Sequence, residues 1–252
     1  MGFITKTFGI IICEIKGEVN METKINVKLL YHTKDPERAV ATAARLCYSA
    51  VGAADLIETM SDEQVAKILK IILAGGHSST LEHASYTFAI EGVSRALTHQ
   101  LVRHRMASYN QQSQRYVEVK EGLNFVKPQK IKDNAEANQI FDDAIKSCEE
   151  AYEKLVAAGV PKEDARFILP NAAETKIVVT MNIRELLHFF SVRCCNRAQW
   201  EINDLAWQML ELVRPTAPLI FADAGPECVR TKCVEGGMTC GEPYPKVDRS
   251  KL

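Results

Sequence analysis

The apolar residues of this chain recur with two different periods, and the points where one period replaces the other divide it into elements. Ile25-Asn26-Val27-Lys28-Leu29-Leu30 alternates apolar with polar and predicts a strand. Asp35-Pro36 opens a helix, with the aspartate as cap and the proline in the first turn. Ser61-Asp62-Glu63-Gln64 has the form of a capping box. Val65, Ile68, Leu69 and Ile72 follow it at helical spacing, and Gly75-Gly76 ends the run. Tyr86, Phe88 and Ile90 return to a period of two, which predicts a half-buried strand. From Ser94 the period is helical again. Leu97 and Leu101 stand four apart, as do Gln100 and His104, so Gln100 and His104 are expected on one helical face with Arg103 beside them.

From Ser108 to Arg115 the apolar period disappears and a loop is expected, with Val117 and Val119 beginning a strand. Ile140, Phe141, Ala144, Ile145, Cys148, Ala151, Tyr152 and Leu155 form one long amphipathic stripe that closes at Gly159. Pro161 opens a short helix carrying Arg166, and Pro170 stops it. The stretch from Thr175 to Met181 is rich in β-branched residues and strand-like. Asn182 caps a helix running to about Val192. Asn196 caps the last long helix, which turns Ile202, Leu205, Met209 and Val213 inward and ends at Pro215. No repeat or low-complexity segment interrupts the pattern. The mixture predicts an α+β fold, an antiparallel sheet with long flanking helices.

A chain of 252 residues, 46% of them hydrophobic, is enough for one domain with an ordinary core. No apolar run is long enough to span a bilayer. Phe8-Gly9-Ile10-Ile11-Ile12-Cys13 follows a lone Lys6, but the run is short and lacks a small-residue cleavage site, so no signal peptide is read there. Met21 stands just before a charged segment and the first strand, which marks residues 1–20 as an extension; a main domain over 21–222 and a tail over 223–252 are expected after it. The tail holds Cys228, Cys233 and Cys240 without a Cys-x-x-Cys knuckle, and no metal site is expected. Eight cysteines without a paired framework or export signal fit reduced thiols in the cytoplasm.

The chemistry concentrates in Arg103-His104-Arg105-Met106-Ala107-Ser108-Tyr109-Asn110-Gln111-Gln112-Ser113-Gln114-Arg115-Tyr116. Three guanidinium groups so close together repel unless anions sit among them, and each offers a planar fork of donors matched to phosphate oxygens. Neither a Gly-x-Gly-x-x-Gly fingerprint nor a P-loop is present, so side chains have to hold any nucleotide. A module that sets Arg103, Arg105 and Arg115 on nucleic-acid phosphates is the alternative from another class. A nucleotide-binding regulator without chemistry is a third. The balance of 31 Lys+Arg against 32 Asp+Glu, net charge -1, weighs against the nucleic-acid reading.

Arg103 to Arg115 resembles the signature of the flavin-dependent thymidylate synthases, Arg-His-Arg-x-x-Ser-x-Asn-x-x-Ser-x-Arg, with every fixed position filled. Gly76-His77-Ser78-Ser79-Thr80-Leu81-Glu82-His83 and Ala165-Arg166-Phe167-Ile168-Leu169-Pro170 resemble two further elements of that family. Asn182 through Glu201, with Arg193 and Ala198-Gln199-Trp200-Glu201, resembles its C-terminal signature. The resemblance spans roughly Val27 to Ala222. It implies a homotetramer of α+β subunits with shared active sites, acting on small molecules rather than on nucleic acid or at a membrane. It implies FAD as cofactor, with NADPH and 5,10-methylenetetrahydrofolate as co-substrates, and deoxyuridine monophosphate (dUMP) as the methyl acceptor. Carried over position by position, Gln100, Arg103, Gln111, Gln112, Ser113, Gln114, Arg115, Arg166 and Arg193 would hold dUMP. His83, Ser85, Arg103, His104, Arg105, Gln111, Asn182, Arg184 and His188 would hold FAD. Arg193 would act on the uracil ring. Cys194 and Cys195 beside it would be structural thiols, because their surroundings do not match the cysteine motif of the classical thymidylate synthases.

Overall fold

Four antiparallel strands carry the scaffold: β1 (Asn26–His32), β2 (Ser85–Ser94), β3 (Ala107–Gln111) and β4 (Glu174–Asn182), in the order β1-β2-β4-β3. The computed structural model describes residues 22–117 and 122–245; the expectations for residues 1–20, for Met21 and for Val119 lie outside the described residues. Nine α-helices are described: α1 (Pro36–Leu46), α2 (Ala53–Thr59), α3 (Asp62–Gly75), α4 (Arg95–Leu101), α5 (Gln129–Lys132), α6 (Ala135–Ala157), α7 (Lys162–Ala165), α8 (Ile183–Arg193) and α9 (Trp200–Val213). The α+β reading with an antiparallel sheet holds. No described helix is long and apolar enough to cross a membrane.

The two inner strands bury alternate residues, Tyr86, Phe88 and Ile90 on β2 and Ile177, Val179 and Met181 on β4. These join Leu186, Phe189 and Phe190 of α8 and Ile202, Leu205, Met209 and Val213 of α9 in one hydrophobic cluster. The strand period of two and the helical period of 3.6 therefore meet on a common face. Ser61 and Gln64 form the predicted capping box, and Gly76 closes α3 in the left-handed conformation at φ 69°. The β2–β4 register shifts between Ile90 and Val93, where Gly92 has φ 69°. A Cβ on Gly92 would stand 1.9 Å from the Lys24 carbonyl oxygen, so only glycine fits.

Four expectations are corrected. The segment from Ser108 to Arg115 is not all loop, since Ala107 to Gln111 pair with β4 as an edge strand. An edge strand gains its order from backbone hydrogen bonds on one side and needs no apolar face. Next, α4 stops at Leu101, so Gln100 and His104 do not share a helical face. The Tyr109 hydroxyl donates to the carbonyls of Leu101 and His104 at 2.9 and 2.7 Å and holds that chain reversal. Third, Gln199 caps α9 in place of Asn196, its Oε1 accepting from the amides of Glu201 and Ile202. Asn196 accepts instead from the Tyr244 hydroxyl at 2.7 Å, and the Tyr244 ring lies 5.3 Å from that of Trp207. Last, the α6 stripe is fully buried only at Ile145 and Tyr152; Phe141, Cys148, Ala151 and Leu155 are half-buried, and Ile140 remains 63% exposed.

Candidate functional site

Two groups of polar side chains form around the short helix α4. The first lies along α8. Asn182 ends β4 and caps α8, its Oδ1 accepting from the Glu185 amide at 2.9 Å. One helical turn then separates Arg184 from His188, with Glu185 between them. Together with Glu82, Met106 and Asn182 they line a cleft of about 410 Å³. Arg184 pairs with Glu82 across its mouth. Arg193 sits in the last turn of α8, where the helix dipole favours a cation.

His104 lies beneath this cleft and is buried. Its Nδ1 is 3.2 Å from Glu185 Oε1, and its Nε2 receives the Nε–H of Arg193 at 3.1 Å. Burial, then the charges of Arg193 and His188, push the imidazole down to about 4, so it is neutral near pH 7. Burial raises the Glu185 carboxyl, against the lowering effect of His188 and Arg184. Burial and the neighbouring Arg103 lower the Arg193 guanidinium, which nevertheless stays cationic. Its Nη2 also reaches the Gln100 carbonyl at 3.4 Å.

The second group lies where β3 leaves the sheet. Gln111 Nε2 donates to the hydroxyls of Thr98 and Thr175, both at 3.2 Å. Arg95 Nη2 donates to the Gln112 carbonyl at 3.1 Å, while Arg95 Nε is buried with no partner among the described residues. Ser113 Oγ accepts from the Arg115 amide at 3.2 Å. Glu163 gathers two more arginines: its carboxylate takes Arg115 Nε at 2.8 Å and its backbone carbonyl takes Arg166 Nε at 3.0 Å. Burial and then Arg166 lower the Arg95 guanidinium. Arg95, Gln112, Ser113 and Gln114 line a cleft of about 190 Å³. Arg166 stands close enough to Arg95 for their charges to act on one another, and the Glu163 carboxylate ties Arg115 in beside Arg166, so three guanidinium groups gather near one carboxylate, an arrangement that suits an anionic ligand.

Arg95 and Gln100 stand at the two ends of α4, five residues or roughly 7–8 Å of helical rise apart. The helix therefore joins the arginine cradle to the Arg193 group. Ser85 pairs with Asn182 across the sheet. Arg103 and Arg105 flank buried His104 and are themselves exposed, and His83 is exposed at the end of the 3-10 turn Ser78–His83. Cys194 lies wholly inside the core, its thiol pushed up to about 12 by burial.

Sequence reading missed Arg95, Glu163 and Glu185. Arg95 follows the cap Ser94, where the helix dipole disfavours a cation, and that misplacement is the sequence signal that could have marked it. Glu185 stands three residues after Asn182, the place of a capping-box glutamate, yet its side chain turns to His104. From sequence, Glu163 and Glu185 are only possible partners for Arg166; the Glu163 carboxylate takes Arg115 and its backbone carbonyl takes Arg166, while Glu185 turns to His104.

Residues 28–219 match the family model described as thymidylate synthase complementing protein. A flavin-dependent thymidylate synthase of Geobacter sulfurreducens is 58% identical over 219 residues, covering 86% of this chain and 94% of that protein. A flavin-dependent thymidylate synthase of Clostridium tetani is 47% identical over 234 residues, again covering 86% and 94%. Among solved structures, the UMP/dUMP methylase PolB of Streptomyces cacaoi, crystallised with 5-Br dUMP, has the same fold. Its TM-score is 0.72 at 24% identity, with 80% of this chain and 94% of that one covered.

Proposed function

The chain belongs to the thymidylate synthase complementing proteins, the family of the flavin-dependent thymidylate synthases, and from that membership we propose that it makes thymidylate from dUMP. The methylene comes from 5,10-methylenetetrahydrofolate and the hydride from FAD that NADPH has reduced. One observation carries the reading. Arg193 is held as a fixed cation between His104 and the Gln100 carbonyl, one short helix away from the cradle of Arg95, Arg115 and Arg166. That spacing suits a nucleotide, with its phosphate among the arginines and its base at Arg193.

In this arrangement Ser113, Arg115 and Arg166 take the phosphate, Gln112 and Gln114 line its cleft, and Gln100, Arg103 and Gln111 border the nucleoside. Arg193 stabilises negative charge developing at N3 of the uracil, which raises electron density at C5. No thiol is needed, and Cys194 has no surface to offer one. The cleft along α8 fits a flavin: Arg184, His188 and Asn182 present donors and Met106 an apolar wall. The family resemblance adds His83, Ser85, Arg103, His104, Arg105 and Gln111 to the residues proposed to hold it. When bound there, the flavin supplies the hydride chemistry, and the protein orients and excludes water.

The shared active site of a homotetramer is part of the same proposal. Phe167 is 81% exposed beside Arg166, and Met106 is 66% exposed beside Arg105. Apolar groups of that size next to a charged cradle suit cover by a partner subunit. The test is tritium release from C5-labelled dUMP with methylenetetrahydrofolate and NADPH, with and without added FAD. Release that requires NADPH and flavin is expected. Arg193→Ala should lower it on the order of 10²- to 10³-fold with bound flavin retained. Salt-sensitive binding of RNA or DNA, with no release, would favour the nucleic-acid reading instead.

A further inference from the structure

The hydrogen bonds from Arg193 to His104 and from His104 to Glu185 have a fixed direction. A guanidinium only donates, so the His104 Nε2 that Arg193 meets at 3.1 Å presents a lone pair. The one proton of the neutral ring then sits on Nδ1, the atom 3.2 Å from Glu185 Oε1. A neutral imidazole left to water prefers the other tautomer. Here that form would set an Nε2–H against the Arg193 Nε–H and drive the guanidinium away.

We infer that Glu185 is a positioning residue for Arg193: by accepting the Nδ1 proton it keeps His104 in the tautomer whose bare Nε2 anchors the guanidinium. The inference rests on the proposed role of Arg193 beside the uracil. The surroundings leave the ring no other orientation. His104 is 5% exposed and Glu185 8%. The Phe189 ring meets the imidazole edge-on at 4.9 Å and 79°. The Tyr109 hydroxyl holds the His104 carbonyl, and Asn203 Nδ2 holds the Arg193 carbonyl at 2.8 Å. With the backbone fixed at both ends, the guanidinium is directed by two acceptors, His104 Nε2 at 3.1 Å and the longer contact to the Gln100 carbonyl at 3.4 Å, and only the first depends on the imidazole tautomer. His104, Glu185 and His188 also lie within 4.8 Å of one another, as metal ligands would. With a guanidinium on Nε2 and a proton on Nδ1, however, His104 has no lone pair for an ion.

Two substitutions separate this role from plain support of α8. Glu185→Gln keeps an oxygen to accept from Nδ1; Glu185→Leu fills the space without one. The ¹⁵N spectrum of histidine-labelled, FAD-loaded enzyme, with His104→Asn as the assignment control, reads the tautomer directly. Nδ1 should be protonated and Nε2 bare in the wild type and in Glu185→Gln, with the proton moving to Nε2 in Glu185→Leu. Tritium release should fall roughly ten- to a hundredfold in kcat for Glu185→Leu, the scale seen when the partner that orients a functional histidine is removed. KM for dUMP should stay nearly unchanged once the enzyme is saturated with FAD, and Glu185→Gln should recover most of kcat. An Nε2 proton in the wild type, or equal loss of kcat in both variants, would overturn the inference. A wild-type enzyme with the Nδ1 proton in place but no tritium release would leave the Glu185-held tautomer standing and remove the uracil from Arg193.

Discussion

Cys194 follows Arg193 directly, and its depth decides what its thiol can do. It has no exposed surface, and burial pushes its ionisation up to about 12. At pH 7 that leaves on the order of one thiolate in 10⁵, too few for a nucleophile that also cannot reach a ligand. Cys194→Ser should therefore keep turnover within about threefold. It should lower the melting temperature, because a buried hydroxyl without a partner costs about 1–3 kcal/mol. A folded but inactive serine variant would bring the covalent route back. At this scale the sequence was most legible where polar residues repeat in one dense motif. The spacing from Arg103 to Arg115 singled out Ser113 and Arg115, and both stand in the cradle. It was least legible where a residue acts on another residue. Glu185 occupies a first-turn position where an acid is ordinary, and only its contact with His104 distinguishes it; Arg95 is a base where the helix dipole disfavours one, a weak signal that its contacts explain.

Among the elements, apolar period predicted β1, α3 and β2, β-branched composition predicted β4, and the Asn182 cap predicted α8, each to within a few residues. Elements stabilised in other ways escaped. β3 is ordered by backbone pairing to β4, and its side chains carry no period to read. The end of α4 is fixed by the Tyr109 hydroxyl, a contact from eight residues further along. The α9 cap came from Gln199, a residue type that rarely caps, while the better cap Asn196 was drawn off by Tyr244. Gly92 was likewise unmarked as a bulge. Gly92→Ala should destabilise the fold by about 1–2 kcal/mol for the left-handed backbone. The collision of its Cβ with the Lys24 carbonyl should add typically another 1–3 kcal/mol. Denaturant titration checks this, with a change under about 0.5 kcal/mol contradicting the fit described for that turn.

At the level of the whole molecule, the pieces left uncovered point to association. Phe167 is exposed beside Arg166 of the cradle, Met106 is exposed in the wall of the cleft, and Ile140 of α6 is exposed as well. Light scattering should give a particle near four times the 28.1 kDa chain, and a fully active monomer would refute the shared site. One consequence concerns how such a molecule can change over generations. The arginine cradle and the Arg193 group are set apart by a two-turn helix whose rise and rotation are fixed by its own hydrogen bonds. One residue added between Arg95 and Gln100 would swing the far end by about 100° and advance it by about 1.5 Å, so that base and phosphate no longer meet their partners together. The α4 segment can thus exchange amino acids but cannot change its length; it works as a gauge against which every variant of the site is measured.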